Sequence, residues 1–289
     1  MARRLEYSEA PFWSTLGRHY ANLSRRMNTE MNPRPGISLI IPCWKDVTAA
    51  MKLARQFAHS SFLAEVIIAG VRGEDPPIAE GRIKVCLADR PGRGRQMNLG
   101  AETAGGDVLL FHHVDSQLTD EHLGALQRIM SGPAVVGGAF YRKFDERHPR
   151  LRWAESIERW HSRAFGTLYG DQSIFVRRAH FLQLGGFASL PLMEDVEFSP
   201  RLRRSGRIVL LDPAMSSSPA RQIEQGAWRT TLRNMLFLLL FRCGVPADFL
   251  HAWYYRRMPE IVQGGTTSPT EGSPRRRALV KPEPEQRLT

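Results

Sequence analysis

Cysteine is scarce in this sequence. Only Cys43, Cys86 and Cys243 occur in 289 residues, far apart and without a CxxC pair. That spacing argues against a disulfide framework and a zinc knuckle. Buried free thiols in a reducing compartment fit better. Long apolar runs are lacking too. The most apolar stretch, MLFLLLF from Met235 to Phe241, is far too short to cross a bilayer alone. The opening MARRLEYSEAPFWSTLGRHY is basic but holds no continuous apolar segment, so no signal peptide is expected. There is no GK[ST] and hence no P-loop. No RNP, helix-turn-helix or zinc-finger signature is present, so nucleic acid is not an expected partner. Acidic charge is in deficit: 29 Asp and Glu face 40 Lys and Arg, a formal charge of +11. An excess of this size, mostly arginine, fits either an anionic partner or a solvated basic surface.

What is present has a regular order. Residues 1–35 read as an N-terminal arm that ends in a Pro- and Gly-containing linker, MNPRPG. ISLIIP, from Ile37 to Pro42, is a continuous β-branched run, as expected of a strand buried on both faces. A helical pattern follows from about Asp46 to Ala58. EVIIAG and RIKVCLA read as the next strands. GRGRQMNLGAETA is a Gly-rich turn opening a helix. DVLLFHHVD is a further strand, and TDEHLGALQRIM a helix with Thr119 as its N-cap. Strands alternating with helices predict a doubly wound, mostly parallel α/β sheet, whose ligands bind at the carboxyl ends of the strands. Further on, AVVGGAFYRKF, DQSIFVRR and RIVLLD read as strands. LRWAESIERWHSRAFG, WRTTLRNMLFLLLFRCG and PADFLHAWYYRRM read as helices. The domain is thus expected over residues 36–258, followed by a disordered tail over 259–289, which is rich in Pro, Gly and charge.

Three motifs carry chemistry. HVDS, after an apolar strand, sets Asp115 where a carboxylate can hold a divalent ion bridging phosphate oxygens; a plain capping aspartate is the simpler alternative. RPGRGRQMNLGAE brings glycines, Arg93, Arg95, Gln96 and Asn98 to a helix start that suits an anion; an exposed basic turn would look the same. In LPLMEDVEFSPRLRRSG, Glu194 and Asp195 are adjacent carboxylates. One can act as a general base, or both can simply complement a helix dipole. Pro200 suits the first turn of a helix, so a helix starting at Ser199 would leave both acids on a loop.

In this order, ISLIIPCWKD, GRGRQMNLGAETAGGDVLLFHHVDS, GDQSIFVRR, GGF and MEDVEFSPRLRRSGR resemble the family 2 glycosyltransferases of the GT-A fold. The similarity runs from about Ile37 to Asp212, with weaker helical similarity to about Arg257. RGRQMN, HVDS, YGDQSIFVRR and PLMEDVE look most like a small bacterial subgroup associated with arsenosugar biosynthesis. The resemblance implies that Asp115, with His113 in place of the first acid of a DXD-like motif, holds Mg or Mn. Pro42 and Asp46 would border the nucleotide base, and Arg93 and Arg95 would reach the diphosphate. Asp171 and Gln172 would line the sugar or acceptor, and Asp195, with Glu194 beside it, would be the catalytic base. Gly70 departs from the pattern: relatives place a nucleotide-reading Asp there, while this chain keeps Asp75 nearby. His112 is expected to be a strand-end histidine with a backbone partner rather than an extra ligand.

The reading is an inverting, metal-dependent transfer of sugar from a nucleotide-diphosphate sugar to an acceptor hydroxyl. The acceptor is an unassigned small molecule or lipid-linked species, and the location is cytoplasmic. Alternatives are a degenerate or nucleotidyl-transferring GT-A relative, or a basic membrane- or nucleic-acid-binding protein without catalysis. Trp228, Leu232, Met235, Leu236 and Leu239 fall at near-helical spacing beside Arg229, Arg233 and Arg242, with Trp253, Tyr254, Tyr255, Arg256 and Arg257 further on. That stripe either packs on the domain or rests on the inner face of an anionic membrane.

Overall fold

The computed structural model describes residues 35–73, 76–144, 149–217 and 227–256. The expected arm (all but its last residue), the expected tail and Asp75 lie outside them. The first half alternates as expected: β1 (Ile37–Pro42), α1 (Val47–Phe57), β2 (Leu63–Val71), β3 (Ile83–Ala88), α2 (Arg93–Thr103) and β4 (Val108–Phe111). Then come β5 (Ser116–Gln117), α3 (Asp120–Met130), β6 (Val135–Phe144), α4 (Pro149–Phe165), β7 (Phe175–Arg177) and α5 (Arg178–Gln183). The described chain ends with α6 (Glu194–Ser205), β8 (Arg207–Ser217), α7 (Ala227–Arg242) and α8 (Ala247–Arg256).

One eight-stranded sheet has the order β3-β2-β1-β4-β7-β6-β8-β5. β1 is parallel to β2 and β4, and β2 to β3, as a doubly wound half requires. β7 runs antiparallel to both β4 and β6, while β6 and β8 are parallel. Ile37, Leu39, Ile40 and Ile41 of β1 are fully buried. Leu39 and Ile41 enter the core on one face and Ile40 the core on the other. Each such side chain contributes roughly 1.5–3 kcal/mol, which explains why β1 is a continuous apolar run rather than an alternating one. α1 buries Ala50, Met51, Ala54 and Phe57 on one stripe, and Asp46 caps it by accepting from the Ala49 N–H at 3.2 Å. Thr119 caps α3 as expected, paired with His122 Nδ1 at 2.6 Å.

Two local expectations are corrected. DQSIFVRR is not one strand: a single 3-10 turn over Gly170–Gln172 comes first, Ser173 takes a left-handed φ of 53°, and only Phe175–Arg177 pair. The turn breaks the strand and brings Asp171 and Gln172 beside the end of β4. The helix after PLM does not wait for Ser199. α6 begins at Glu194, after Met193 at φ 68°, and carries Pro200 inside it. Glu194 and Asp195 are therefore its first two residues. Proline removes one helix hydrogen bond there. Against that loss, the acids gain the helix dipole and the half-buried Arg93 guanidinium.

β6 is glycine-rich because it is squeezed between β7 and β8. A Cβ on Gly138 would lie 1.9 Å from the Val209 carbonyl oxygen and 2.9 Å from Phe175 Cζ. Gly138→Ala is expected to cost about 3 kcal/mol or more, since the paired Val209 backbone cannot yield and the Phe175 ring is buried. Gly132→Ala, in open space, is expected to be near neutral. Urea unfolding midpoints of the two variants check this.

Candidate active site

β4 ends in His112, His113, Val114 and Asp115. His112 is fully buried, with Nε2 3.1 Å from the Ser116 carbonyl oxygen and Nδ1 2.6 Å from Ser173 Oγ. A carbonyl only accepts, so Nε2 carries the proton and Nδ1 accepts from the serine. Burial, then the neighbouring His113, pushes the His112 pKa down to about 3. This histidine is a neutral strut with a backbone partner, as expected, tying the strand end to the turn before β7.

His113 differs. Its Nε2 is buried and has no hydrogen-bond partner. Burial and then Arg93 push its pKa down to about 4, with Glu194 and Asp171 opposing. It is thus a neutral imidazole with an unused ring nitrogen. Asp171 is similarly half-used: Oδ2 pairs with Arg142 Nη1 at 2.7 Å, while Oδ1 is buried without a partner. Asp115 is exposed, 3.5 Å from Ser116 Oγ, and that same hydroxyl lies 3.4 Å from the Asp171 carbonyl oxygen.

α6 delivers the paired acids from the other side. Glu194 and Asp195 retain only 2% and 7% of their exposure. Asp195 Oδ2 accepts from the Gly170 N–H at 2.7 Å, and Oδ1 from the Val196 N–H at 2.8 Å. Arg93, 102 residues earlier, reaches Asp195 Oδ2 with Nη2 at 3.4 Å and pairs through Nε with Glu194 Oε1. Burial raises the Asp195 pKa, Arg93 pulls it down, Glu194 raises it, and the two backbone N–H groups lower it, leaving it above the ordinary aspartate range. Burial opposes the charge on Arg93, but Glu194 and then Asp195 more than offset it, so its pKa is raised.

The residues of the basic turn make the following contacts within the protein. Arg93, expected at the diphosphate, is committed to the acids. Arg95 is partly exposed and touches Ser189 Oγ at 3.2 Å. Gln96 is buried and donates to the Cys43 and Ala69 carbonyls at 2.7 and 2.8 Å, latching α2 to β1 and β2. Asn98 exchanges two hydrogen bonds with the Phe187 backbone, at 2.8 and 2.9 Å. Gln172 is buried and accepts from the Tyr169 N–H at 3.1 Å. Pro42 ends β1, and Asp46 is the α1 cap. Between them stands Trp44, 49% exposed, with Lys45 Nζ 4.6 Å from its ring centroid. The sequence reading misses Trp44 and Arg142. Trp44 has a signal, an aromatic in the loop after the first strand; Arg142 has none, since its role depends on a partner 29 residues away. Gly70 packs tightly: a Cβ there would lie 3.0 Å from Leu87 Cδ2 and 3.2 Å from Pro77 Cδ. Leu87 and Pro77 thus crowd the position where an aspartate was expected.

Residues 72–183 match the family model described as Glycosyl transferase family 2. A comparison with curated proteins finds no match. Among solved structures, a mannosyltransferase from Pyrobaculum calidifontis in complex with GDP-Man and Mn2+ superposes with a TM-score of 0.54 at 17% identity, over 85% of this chain and 79% of that one. TarS 1-349 of S. aureus in complex with UDP-GlcNAc superposes with a TM-score of 0.50 at 18% identity, over 63% of this chain and 58% of that one. At such identities the likeness is one of fold, and the fold is GT-A. The chain thus carries a region that matches glycosyl transferase family 2 within a GT-A fold.

Proposed function

We propose that this protein transfers a sugar, with inversion, from a nucleotide-diphosphate sugar to an acceptor hydroxyl, with Asp195 as the general base. The carrying observation is Asp195 itself: a buried carboxylate fixed by two backbone N–H groups, with its pKa raised, in the cluster formed by Arg93, His113 and Asp171. The acceptor O–H gives its proton to Asp195, its oxygen bonds to the anomeric carbon, and the bond to the diphosphate breaks. Glu194 and Arg93 are positioning residues that hold Asp195. Asp171, with one oxygen unpaired, and Gln172 face the sugar or acceptor. Arg95 is the arginine left for the diphosphate, and Pro42, Trp44 and Asp46 border the base. Gln96 and Asn98 shape the turn through backbone contacts. The finer likeness to the arsenosugar-associated subgroup rests on the four motifs quoted above. An exposed free thiol at Cys243 suits a cytoplasmic location.

Asp115 and His113 would hold the divalent ion, Mg or Mn. Among the described residues no three His, Cys, Asp or Glu side chains converge as a closed metal site would require. The donor set still fits an ion completed by the substrate's own oxygens, because His113 Nε2 lacks any other partner. When bound there, the ion neutralises charge on the departing diphosphate.

The test is a screen of nucleotide sugars for turnover with and without Mn2+. Release of a nucleoside diphosphate supports sugar transfer. Release of a nucleoside monophosphate or pyrophosphate would instead favour nucleotidyl transfer, the alternative that crowded Gly70 keeps in view. Asp115→Ala is expected to remove the metal dependence of donor binding, read by titration calorimetry. Equal wild-type affinity with and without Mn2+ would reject the metal assignment and leave Arg95 as the main phosphate contact.

A further inference from the structure

A cavity lies against α6, the helix that carries Asp195. It measures about 300 Å3 and is walled by Phe165 at the end of α4, Glu197, Arg201 and Arg204 of α6, and Phe241 and Arg242 of α7. Arg201 is spent: it pairs with Glu197 and donates to the Leu184 and Gly186 carbonyls. Arg204 and Arg242 are not. Neither forms an ion pair among the described residues. Arg242 is fixed in place by Thr167 Oγ1, which accepts from Nη2 at 2.6 Å, and by His161 Nε2, 3.3 Å from Nη1. Its guanidinium also lies 5.3 Å from the Phe165 ring centroid. Two guanidiniums without an ion pair among the described residues, in a cavity also lined by Phe165 and Phe241, suit an anionic head on an apolar body.

The surface around the cavity points to the source of that head. α7 packs on α4 and on α8, burying Thr230, Phe237 and Leu238. Its other stripe does not pack: Leu232, Met235, Leu236 and Leu239 are 64%, 42%, 43% and 59% exposed. They recur at three- and four-residue steps. These four side chains of the stripe stay exposed among the described residues. Trp160 and Phe165 on α4, in edge contact at 5.8 Å, and Phe249 on α8 are exposed as well. Exposed Arg229 flanks the stripe on one side and Arg242 on the other. Interfacial helices carry this pattern, an apolar face rimmed by arginine. Among the described residues no helix is long and apolar enough to cross a membrane. The contact would therefore lie in the headgroup plane.

We propose that the cavity seats the phosphate of an anionic lipid while the exposed stripe of α7, with Trp160 and Phe249, rests in an anionic bilayer. The lipid phosphate would then lie on the helix whose first turn carries Asp195.

The test uses the full chain and needs no transfer activity. In flotation with phosphatidylglycerol and phosphatidylcholine vesicles, partition into the anionic vesicles is expected to exceed the neutral by at least about tenfold, and to fall at high salt. Arg204→Gln should lower anionic partition about fivefold. The pair Leu236→Ser and Leu239→Ser should lower it by about tenfold or more. Both variants change exposed side chains, so unchanged thermal midpoints will show that the fold is kept. Absence of the wild type from anionic vesicles at low salt overturns the proposal. Binding that ignores both variants overturns it as well, and assigns the attraction to the basic surface at large. A midpoint raised by glycerol 3-phosphate without vesicle binding overturns the lipid source and gives the cavity to a soluble phosphate ester.

Discussion

Asp195→Asn is expected to lower transfer by about 10² to 10⁴, with donor binding nearly unchanged. An amide cannot take the acceptor's proton. The geometry adds a second consequence. Both Asp195 oxygens accept from backbone N–H groups, at Gly170 and Val196. An asparagine can offer its oxygen to only one of them, so its NH2 must face the other donor. That mismatch is expected to cost about 1–3 kcal/mol of stability, and single-turnover assays on folded protein separate it from the loss of the base. The raised pKa of Asp195 fixes the sign of the pH dependence: the base works when deprotonated, so kcat/KM should fall as pH drops through a value above the ordinary aspartate range. Near-wild-type turnover of the variant would reject the assignment and move attention to Glu194.

Arg93→Ala is expected to be the most destabilising change at the site. It strips the guanidinium from two carboxylates whose side chains are only 2% and 9% exposed. Breaking a buried pair typically costs about 3–5 kcal/mol. The lower end is expected here, because Arg93 itself is 39% exposed and water can enter where it stood. The loss should depend on pH in a defined direction. Without Arg93, which pulls it down, the Asp195 pKa rises further above its unfolded value. The deficit is therefore full at neutral pH and fades as pH falls towards the ordinary carboxylate range. Urea midpoints at neutral and acid pH measure it. Arg93→Ala combined with Glu194→Gln should recover part of the neutral-pH loss, because one of the stranded charges is gone. A pH-independent loss would show that Arg93 acts through packing of its stem rather than through charge.

Much of the fold is legible because it is written locally. The β1 run ISLIIP announces a strand buried on both faces, and Thr119 announces its helix through a cap. The backbone role of His112 also follows from its place at a strand end. The failures share a cause. Pro200 argues for a late helix start, a valid local preference that loses to a distant partner: Arg93 and the helix dipole reward a helix beginning at Glu194. The turn at Gly170–Gln172 reads as strand because β-branched Ile174 and Val176 follow it, while the left-handed Ser173 leaves no mark in composition.

The sequence by itself determined the alternating architecture, the presence of Asp115 and His113 at a strand's carboxyl end, and the identity of the acidic pair. Hydrophobic period and capping act over a few residues, and those signals survive in a string of letters. Only the tertiary structure decided which charges meet. It paired Arg93 with Glu194 and Asp195, made Gln96 and Asn98 backbone latches, and left Arg204 and Arg242 without an ion pair among the described residues, beside an exposed apolar stripe. Ion pairing and desolvation depend on distance in space, and residues about a hundred positions apart carry no trace of that distance in their order along the chain.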